Sequence, residues 1–320
     1  MKPLIQAGFA LALLLAGGVL AQDYPARPVR IVVPNAPGSS VDTMSRILST
    51  RLAEALGGSV VVENRDGAGG LIGMDAGRKA VPDGYTLICV SNGSGVIAPL
   101  LKKARPYETA RDFELIGTFA ITPNVLVVNP HLPVNSVSEL IEYARANQSS
   151  INMASAGIGS QSHLAGALLM TMANFDSLHV PHKGGSPSVA SVAAGQTHWT
   201  LTPAPAAMSQ VKAGRLRVLA HSLPRRSALL ADMPAIAETV AGYDFNGWAG
   251  LIAPKGTPRP IVDRVHAAMI KTLAVPEVRD GLAAQGADLF PGNAEEFRKF
   301  LARDIANTER VMKAAQLQPE

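Results

Sequence analysis

The chain has 320 residues, of which 47% are hydrophobic and 17% charged, with 29 Gly, 23 Pro and a single Cys. That balance excludes a disordered chain, a collagen-like repeat and a coiled coil. The formal net charge is +4, and basic pairs such as Lys102-Lys103 and Arg225-Arg226 are scattered among acids instead of forming one stripe, which argues against nucleic acid as a partner.

In chain order, Met1-Lys2 is a positive start, Ile5 to Leu15 an apolar stretch and Val19-Leu20-Ala21 a small-residue end. This is the pattern of an export signal cleaved after Ala21, and it predicts an exported protein. Removing residues 1–21 leaves 320 − 21 = 299 residues, enough for two modest lobes with a real core. No later apolar run reaches the roughly 18 residues that a membrane span requires, so a soluble mature protein is expected. Cys89 has no partner for an internal disulfide, and its place in the run Leu87 to Val90 predicts a buried thiol.

Short β-branched runs then alternate with helical patterns, the mark of an α/β protein with mainly parallel sheets. Strands are expected at 30–34, 59–63 and 85–90. Val41, Met44, Leu48, Leu52 and Ala55 recur at helical spacing after the first strand, with Ser39 or Ser40 as cap, and a short helix is expected at 71–79. A second block opens near Pro123, with strands at 125–128, 151–154, 179–181, 197–201 and 216–220. Helices lie between them, one capped by Ser136 or Ser138 and one marked by Leu164, Leu168 and Met172. A strand at 251–253 and helices at 258–273, 277–284 and 294–315 complete the chain. Two crossings without a flexible linker predict two lobes, 22–122 plus 246–320 and 123–245, hinged around a cleft that is the natural pocket.

Three turns share one design. They are Asn35-Ala36-Pro37-Gly38-Ser39-Ser40, the run from Ser91 through Asn92 and Ser94 to Gly95, and Ser155-Ala156-Gly157-Ile158-Gly159-Ser160-Gln161 leading to His163. Each places glycine and small polar residues where a strand ends and a helix begins, so backbone N–H groups and a positive dipole end are offered to an anion. Such turns also suit any α/β protein, but three of them from two lobes point to a shared carboxylate site. Lys183-Gly184 ends an extended run before another helix and offers one cationic contact. Trp199 and Trp248 read as core residues by size.

Other chemistries fit poorly. Gly67 to Gly73 fails as a dinucleotide fingerprint because Ile72 takes the third glycine position, and no P-loop is present, so no cofactor is expected. His179 and His182 are separated by Val180-Pro181 in an extended segment, which argues against a metal pair. Ser160 and His163 leave an exported serine hydrolase as an alternative, though no G-x-S-x-G elbow accompanies them. A ligand receptor for a signalling partner is a further alternative.

The chain resembles the Bug family, the extracytoplasmic receptors of tripartite tricarboxylate transporters. The resemblance rests on Pro34-x-x-Pro37-Gly38-x-x-x-Asp42 with Arg46, and on Val62-Glu63-Asn64-Arg65-x-Gly67-Ala68-Gly69-Gly70-x-x-Gly73. Gly157-x-Gly159-Ser160-x-x-His163, Lys183-Gly184-Gly185-x-Pro187 and Ala253-Pro254-x-Gly256-Thr257-Pro258 continue it along nearly the whole mature chain. It implies a two-lobed periplasmic-binding-protein fold of type II, a monomer, a small organic acid held by the turns at 35–40 and 155–160, and a membrane permease as partner. Departures are Ser39-Ser40 in place of a glycine, Asn35 in place of an aromatic, Thr197-His198 in place of Val-Asp, and the run Thr202-Pro203-Ala204-Pro205. With His198 and Thr202 placed on the pocket wall and no acid there, the ligand is expected to lack an amino group.

Overall fold

The computed structural model describes residues 24–148, 150–226, 230 and 233–319. The export signal and its cleavage point lie outside the described residues. Eleven strands are present among them: β1 (Val29–Val33), β2 (Val60–Asn64), β3 (Thr86–Ser91), β4 (Phe113–Thr122), β5 (Asn124–Val128), β6 (Asn152–Ser155), β7 (Leu178–Pro181), β8 (Trp199–Pro203), β9 (Arg217–His221), β10 (Gly247–Pro254) and β11 (Asp288–Gly292). The main helices are α1 (Ser40–Leu56), α2 (Leu71–Arg78), α3 (Val137–Ala146), α4 (Gln161–Ala173), α5 (Gly185–Ala193), α6 (Ala204–Lys212), α7 (Arg259–Leu273), α8 (Pro276–Ala284) and α9 (Ala294–Ala314). No described helix is long and apolar enough to cross a membrane.

The strands form two sheets, one ordered β11-β4-β10-β3-β1-β2 and the other β7-β6-β8-β5-β9. The α/β class holds, but the sheets are mixed and not mainly parallel. β1 runs parallel to β2 and β3, while β10 runs antiparallel to both β3 and β4, and β11 antiparallel to β4. In the second sheet β6 is parallel to β7 and β8, and β5 is antiparallel to β8 and β9. The antiparallel strands enter where the chain passes from one sheet to the other and returns.

Both faces of each sheet are covered, which is why the strands read as continuous apolar runs. Side chains alternate between the faces with period two. In the first sheet Ile31, Val33, Leu87 and Cys89 join Leu48, Leu52 and Val265 of α1 and α7, while Val32, Ile88 and Val90 join Met74 of α2 and Phe297 of α9. In the second sheet Leu126, Val128 and Met153 pack with Leu140, Leu164 and Leu168 of α3 and α4; Val125, Val127 and Ala154 face Val189, Val192 and Ala207 of α5 and α6. Cys89 is fully buried, and burial pushes its thiol up to about 12. Such a thiol packs as a small apolar group and is inert.

The chain crosses between sheets at Pro123 and again at Phe245-Asn246. The crossings are tied together: Asn124 Nδ2 donates to the Phe245 carbonyl at 2.6 Å, and Ser222 Oγ accepts from Asn124 N–H at 2.7 Å while donating to Asn246 Oδ1 at 2.6 Å. Helix α9 spans the rear of this junction, packing on β4 of one sheet and on α4 of the other.

Candidate functional site

Between the sheets lies a cavity of about 880 Å³. Four helices begin at its wall. Ser39 and Ser40 open α1, Ser160 and Gln161 open α4, Gly184 and Gly185 open α5, and Pro203, Pro205 and Ala206 surround the start of α6; all of these line the cavity. The first N–H groups of a helix have no acceptor within it and sit at the positive end of its dipole. One helix from the first sheet and three from the second therefore direct their N-termini and partial positive charge into one volume, an arrangement that favours an anion.

The turns before α1 and α4 repeat one local solution. Gly38 and Gly159 have φ of 78° and 72°, the left-handed region that glycine enters without strain. The next residue is the helix cap: Ser39 Oγ accepts from Asp42 N–H and Ser160 Oγ from His163 N–H, both at 3.3 Å. Four residues after each glycine, a side chain takes the glycine's own N–H. Gly38 N–H donates to Asp42 Oδ2 at 2.8 Å, and Gly159 N–H donates to His163 Nδ1 at 3.0 Å. Asp42 and His163 thus hold their turns from behind and neither lines the cavity.

Each holder is itself supported. Asn64 Nδ2 donates to Asp42 Oδ1 at 2.9 Å and to the Asn35 carbonyl at 3.0 Å, and Arg46 Nε donates to Asp42 Oδ2 at 3.1 Å. Burial works to raise the Asp42 pKa, but Arg46, the Gly38 N–H and Asn64 outweigh it and keep the carboxyl ionised below its usual range. On the other side the His163 ring stacks on His179, centroids 3.9 Å apart and planes within 4°. His179 Nε2 and Ser155 Oγ are hydrogen-bonded at 2.6 Å. Burial, then the neighbouring His179, brings the His163 pKa down to about 4, so the ring stays neutral and its Nδ1 remains an acceptor.

Most of the expected residues fall into two groups. Asn35, Ala36, Pro37, Gly38, Ser39, Ser40, Ala156, Gly159, Ser160, Gln161, Lys183, Gly184 and Thr202 line the cavity. Ser155, Gly157 and His163 lie behind it, engaged in the turn's own hydrogen bonds. Asn92 and Ser94 are a correction. The chain leaves β3 straight into a π-helical turn at Gly93–Ile97, which rotates them inward; Ser94 Oγ accepts from Ser91 N–H, and Ser91 and Gly93 face the cavity instead. His198 is a second correction. It precedes β8, whereas the cavity lies beyond that strand's far end at Thr202, and five residues of strand separate the two ends by roughly 16 Å. His198 Nδ1 contacts Asn152 Oδ1 at 2.9 Å and Thr197 Oγ1 contacts Ser191 Oγ at 3.0 Å.

The start of α6 and Trp248, placed in the core by its size, complete the wall. Pro203 and Pro205 were a visible signal for the helix start, since proline suits a first helical turn. Among the described residues lining the cavity, Asp66 and Lys183 are the charged ones. Asp66 supplies a carboxylate, so the expectation of a ligand without an amino group, which rested on positions 197–198 and 202–205, loses its footing. Asn35 Oδ1 and Thr202 Oγ1 are buried without a hydrogen-bond partner, and such groups are costly unless a ligand or water meets them. Met44, Ile97, Leu101, Ile158 and Trp248 give the rest of the wall an apolar character.

A serine hydrolase is not what this geometry builds. The Ser160 hydroxyl donates to the Gly157 carbonyl at 2.6 Å and caps α4, while His163 Nδ1 is occupied by the Gly159 N–H. No hydrogen bond joins the two side chains, which nucleophile activation requires.

Comparison with known proteins agrees. The profile described as tripartite tricarboxylate transporter family receptor matches residues 44–317. Protein BugT of Bordetella pertussis is 34% identical, the alignment covering 93% of this chain and 92% of BugT. Among solved structures, an R. palustris protein with adipate superposes with a TM-score of 0.86 at 33% identity, covering 93% of this chain and all of its own. MatC of Rhodopseudomonas palustris, with bound malate, gives 0.79 at 29%, covering 90% of this chain and 99% of its own. With its fold, its paired turns and a profile match over most of its length, the chain belongs to the tripartite tricarboxylate transporter receptor family, the Bug proteins, which are solute-binding receptors and not enzymes.

Proposed function

We propose that this protein is a periplasmic receptor that captures a small organic carboxylate between its two sheets and delivers it to the membrane permease of a tripartite tricarboxylate-type transporter. The observation that carries the reading is the convergence of four helix N-termini on one cavity. Charge-assisted hydrogen bonds of about 1.5–3 kcal/mol each suffice to hold a carboxylate there without a salt bridge. Adipate and malate in the related structures are acids of this class. The apolar wall accommodates a carbon chain, and Lys183 is placed to meet a second acidic group.

A ligand that touches both halves favours the closed form, because only differential affinity shifts such an equilibrium. Thermal unfolding with a panel of aliphatic and aromatic acids tests the reading. At one hundred times Kd a true ligand adds about 2.7 kcal/mol, a Tm rise of roughly 5 °C. A flat response across the whole panel would count against carboxylate capture. Delivery is tested separately, by uptake in vesicles carrying the permease with and without the receptor.

A further inference from the structure

A second cavity, of about 510 Å³, opens at the rear of the junction, on the side covered by α9. Its inner wall is aromatic: Trp248 meets Phe300 edge-on at 5.6 Å, and Phe300 meets Phe290 at 5.1 Å. Trp248 also lines the front cleft, so its ring stands between the two volumes. Asp304 lies against this wall, with Oδ2 accepting from Trp248 Nε1 at 2.7 Å. Arg303, Asn307 and Arg310 follow the same stripe of α9, at i, i+4 and i+7, and Asp244 faces them from the return crossing.

Two acids and two guanidinium groups therefore line one cavity, yet among the described residues none of the four is in an ion pair. Asp244 Oδ1 accepts from Asn246 Nδ2 and Arg310 donates to Asn307 Oδ1, so neither has a counter-ion among the described residues. Burial pushes the Asp304 carboxyl up to about 6, the response of an acid that lacks a cation. Beside it, the buried Asn92 amide is turned toward the Asp304 carboxyl at a geometry short of a normal hydrogen bond. A guest that completes this set carries charge of both signs and an apolar body.

We propose that the rear cavity binds a zwitterionic amino acid with an apolar side chain, its ammonium against Asp304 and the Trp248 face, its carboxylate toward Arg303 and Arg310 at the rim. An ammonium over an indole face gains from the ring quadrupole, and the adjacent aspartate adds direct charge. The rim arginines offer the fork that carboxylates prefer. Because Trp248 is shared, an occupant of the rear cavity bears on the front one.

Calorimetric titration of the purified chain with L-phenylalanine, and with phenethylamine as the analogue lacking the carboxylate, tests this. L-phenylalanine is expected to bind at least tenfold more tightly than phenethylamine. Asp304→Asn, which keeps an acceptor for Trp248, should weaken L-phenylalanine at least tenfold, and Arg310→Ala at least threefold. Arg303 and Arg310 are exposed, so Arg303→Ala and Arg310→Ala decide the matter if Asp304→Asn does not fold. Ser40→Pro, which deletes one front-cleft N–H, should leave this binding unchanged. Absence of binding at millimolar L-phenylalanine, equal affinity for phenethylamine, or loss in Ser40→Pro matching that in Asp304→Asn would each overturn the proposal. The last outcome would place the amino acid in the front cleft. None of these results depends on which acid the front cleft takes.

Discussion

At the scale of single residues, ligand recognition and turn construction are carried by different atoms, and two substitutions separate them. Ser40 is the first residue of α1, after the cap Ser39 with φ −67° and ψ 161°. That backbone is compatible with a following proline, and the first helical position tolerates one. Ser40→Pro therefore removes one cavity N–H at little cost to the helix. Carboxylate affinity should fall about ten- to a hundredfold, the equivalent of one charge-assisted bond, with Tm nearly unchanged; unaltered affinity in calorimetry would mean that this amide does not touch the ligand. Asp42→Ala does the converse. It leaves the Gly38 N–H and one of the two Asn64 Nδ2 hydrogens without an acceptor, so a stability loss of about 1–3 kcal/mol in urea denaturation is expected. Ligand affinity should drop as well, because the turn loosens. A variant as stable as the parent would show that the Asn64 bond to the Asn35 carbonyl, not Asp42, holds the turn.

At the scale of elements, the start of α4 carries a pH dependence. His163 titrates at about 4 in the folded protein against an ordinary 6.5, because burial disfavours the imidazolium. The folded pKa is depressed, so the unfolded chain binds the proton first. The histidine's contribution is complete above about 6.5 and is lost as pH falls through about 4. Urea midpoints at pH 7.5 and 4.5 should therefore drop less in His163→Gln, which cannot titrate, than in the parent; identical drops would remove His163 as the source. The holding role of His163 was within reach of the sequence, since a histidine at a helix start commonly bonds local backbone. β4 and β11 were not. β4 makes its pairs with β10, some 130 residues later in the chain, and with β11, and no local periodicity announces such a partner. β11 contains Pro291 and Gly292, which usually end strands, but it lies at the sheet edge, where a missing donor is tolerated. The turns at 35–40 and 155–160 were legible because glycine and serine there encode a left-handed corner and a cap in adjacent residues. The 91–95 turn was misread because glycine and serine fit a π-helical continuation as well as a loop.

For the whole molecule, two glycines mark places where the halves come into close contact. A Cβ on Gly159 would collide with Leu101, and one on Gly286 would come within 2.8 Å of Ala204 Cβ. Gly286 belongs to the turn between α8 and β11, and Ala204 begins α6, so this contact joins the two sheets. Neither residue lines the cavity. A side chain added at Gly286 would wedge the halves apart without touching the ligand. The position has φ 71°, where asparagine is among the few side chains tolerated, so Gly286→Asn adds bulk with limited backbone strain. If carboxylate capture requires the halves to meet, the wedge lowers the population of the competent form, and apparent affinity falls in proportion. A tenfold loss for every carboxylate that binds the parent is expected, with selectivity unchanged because the wall is untouched. Small-angle scattering should then show that saturating ligand compacts the parent more than the variant. Full affinity in Gly286→Asn would mean that the contact between Gly286 and Ala204 is incidental, and that the amides grip the acid without closure on that side.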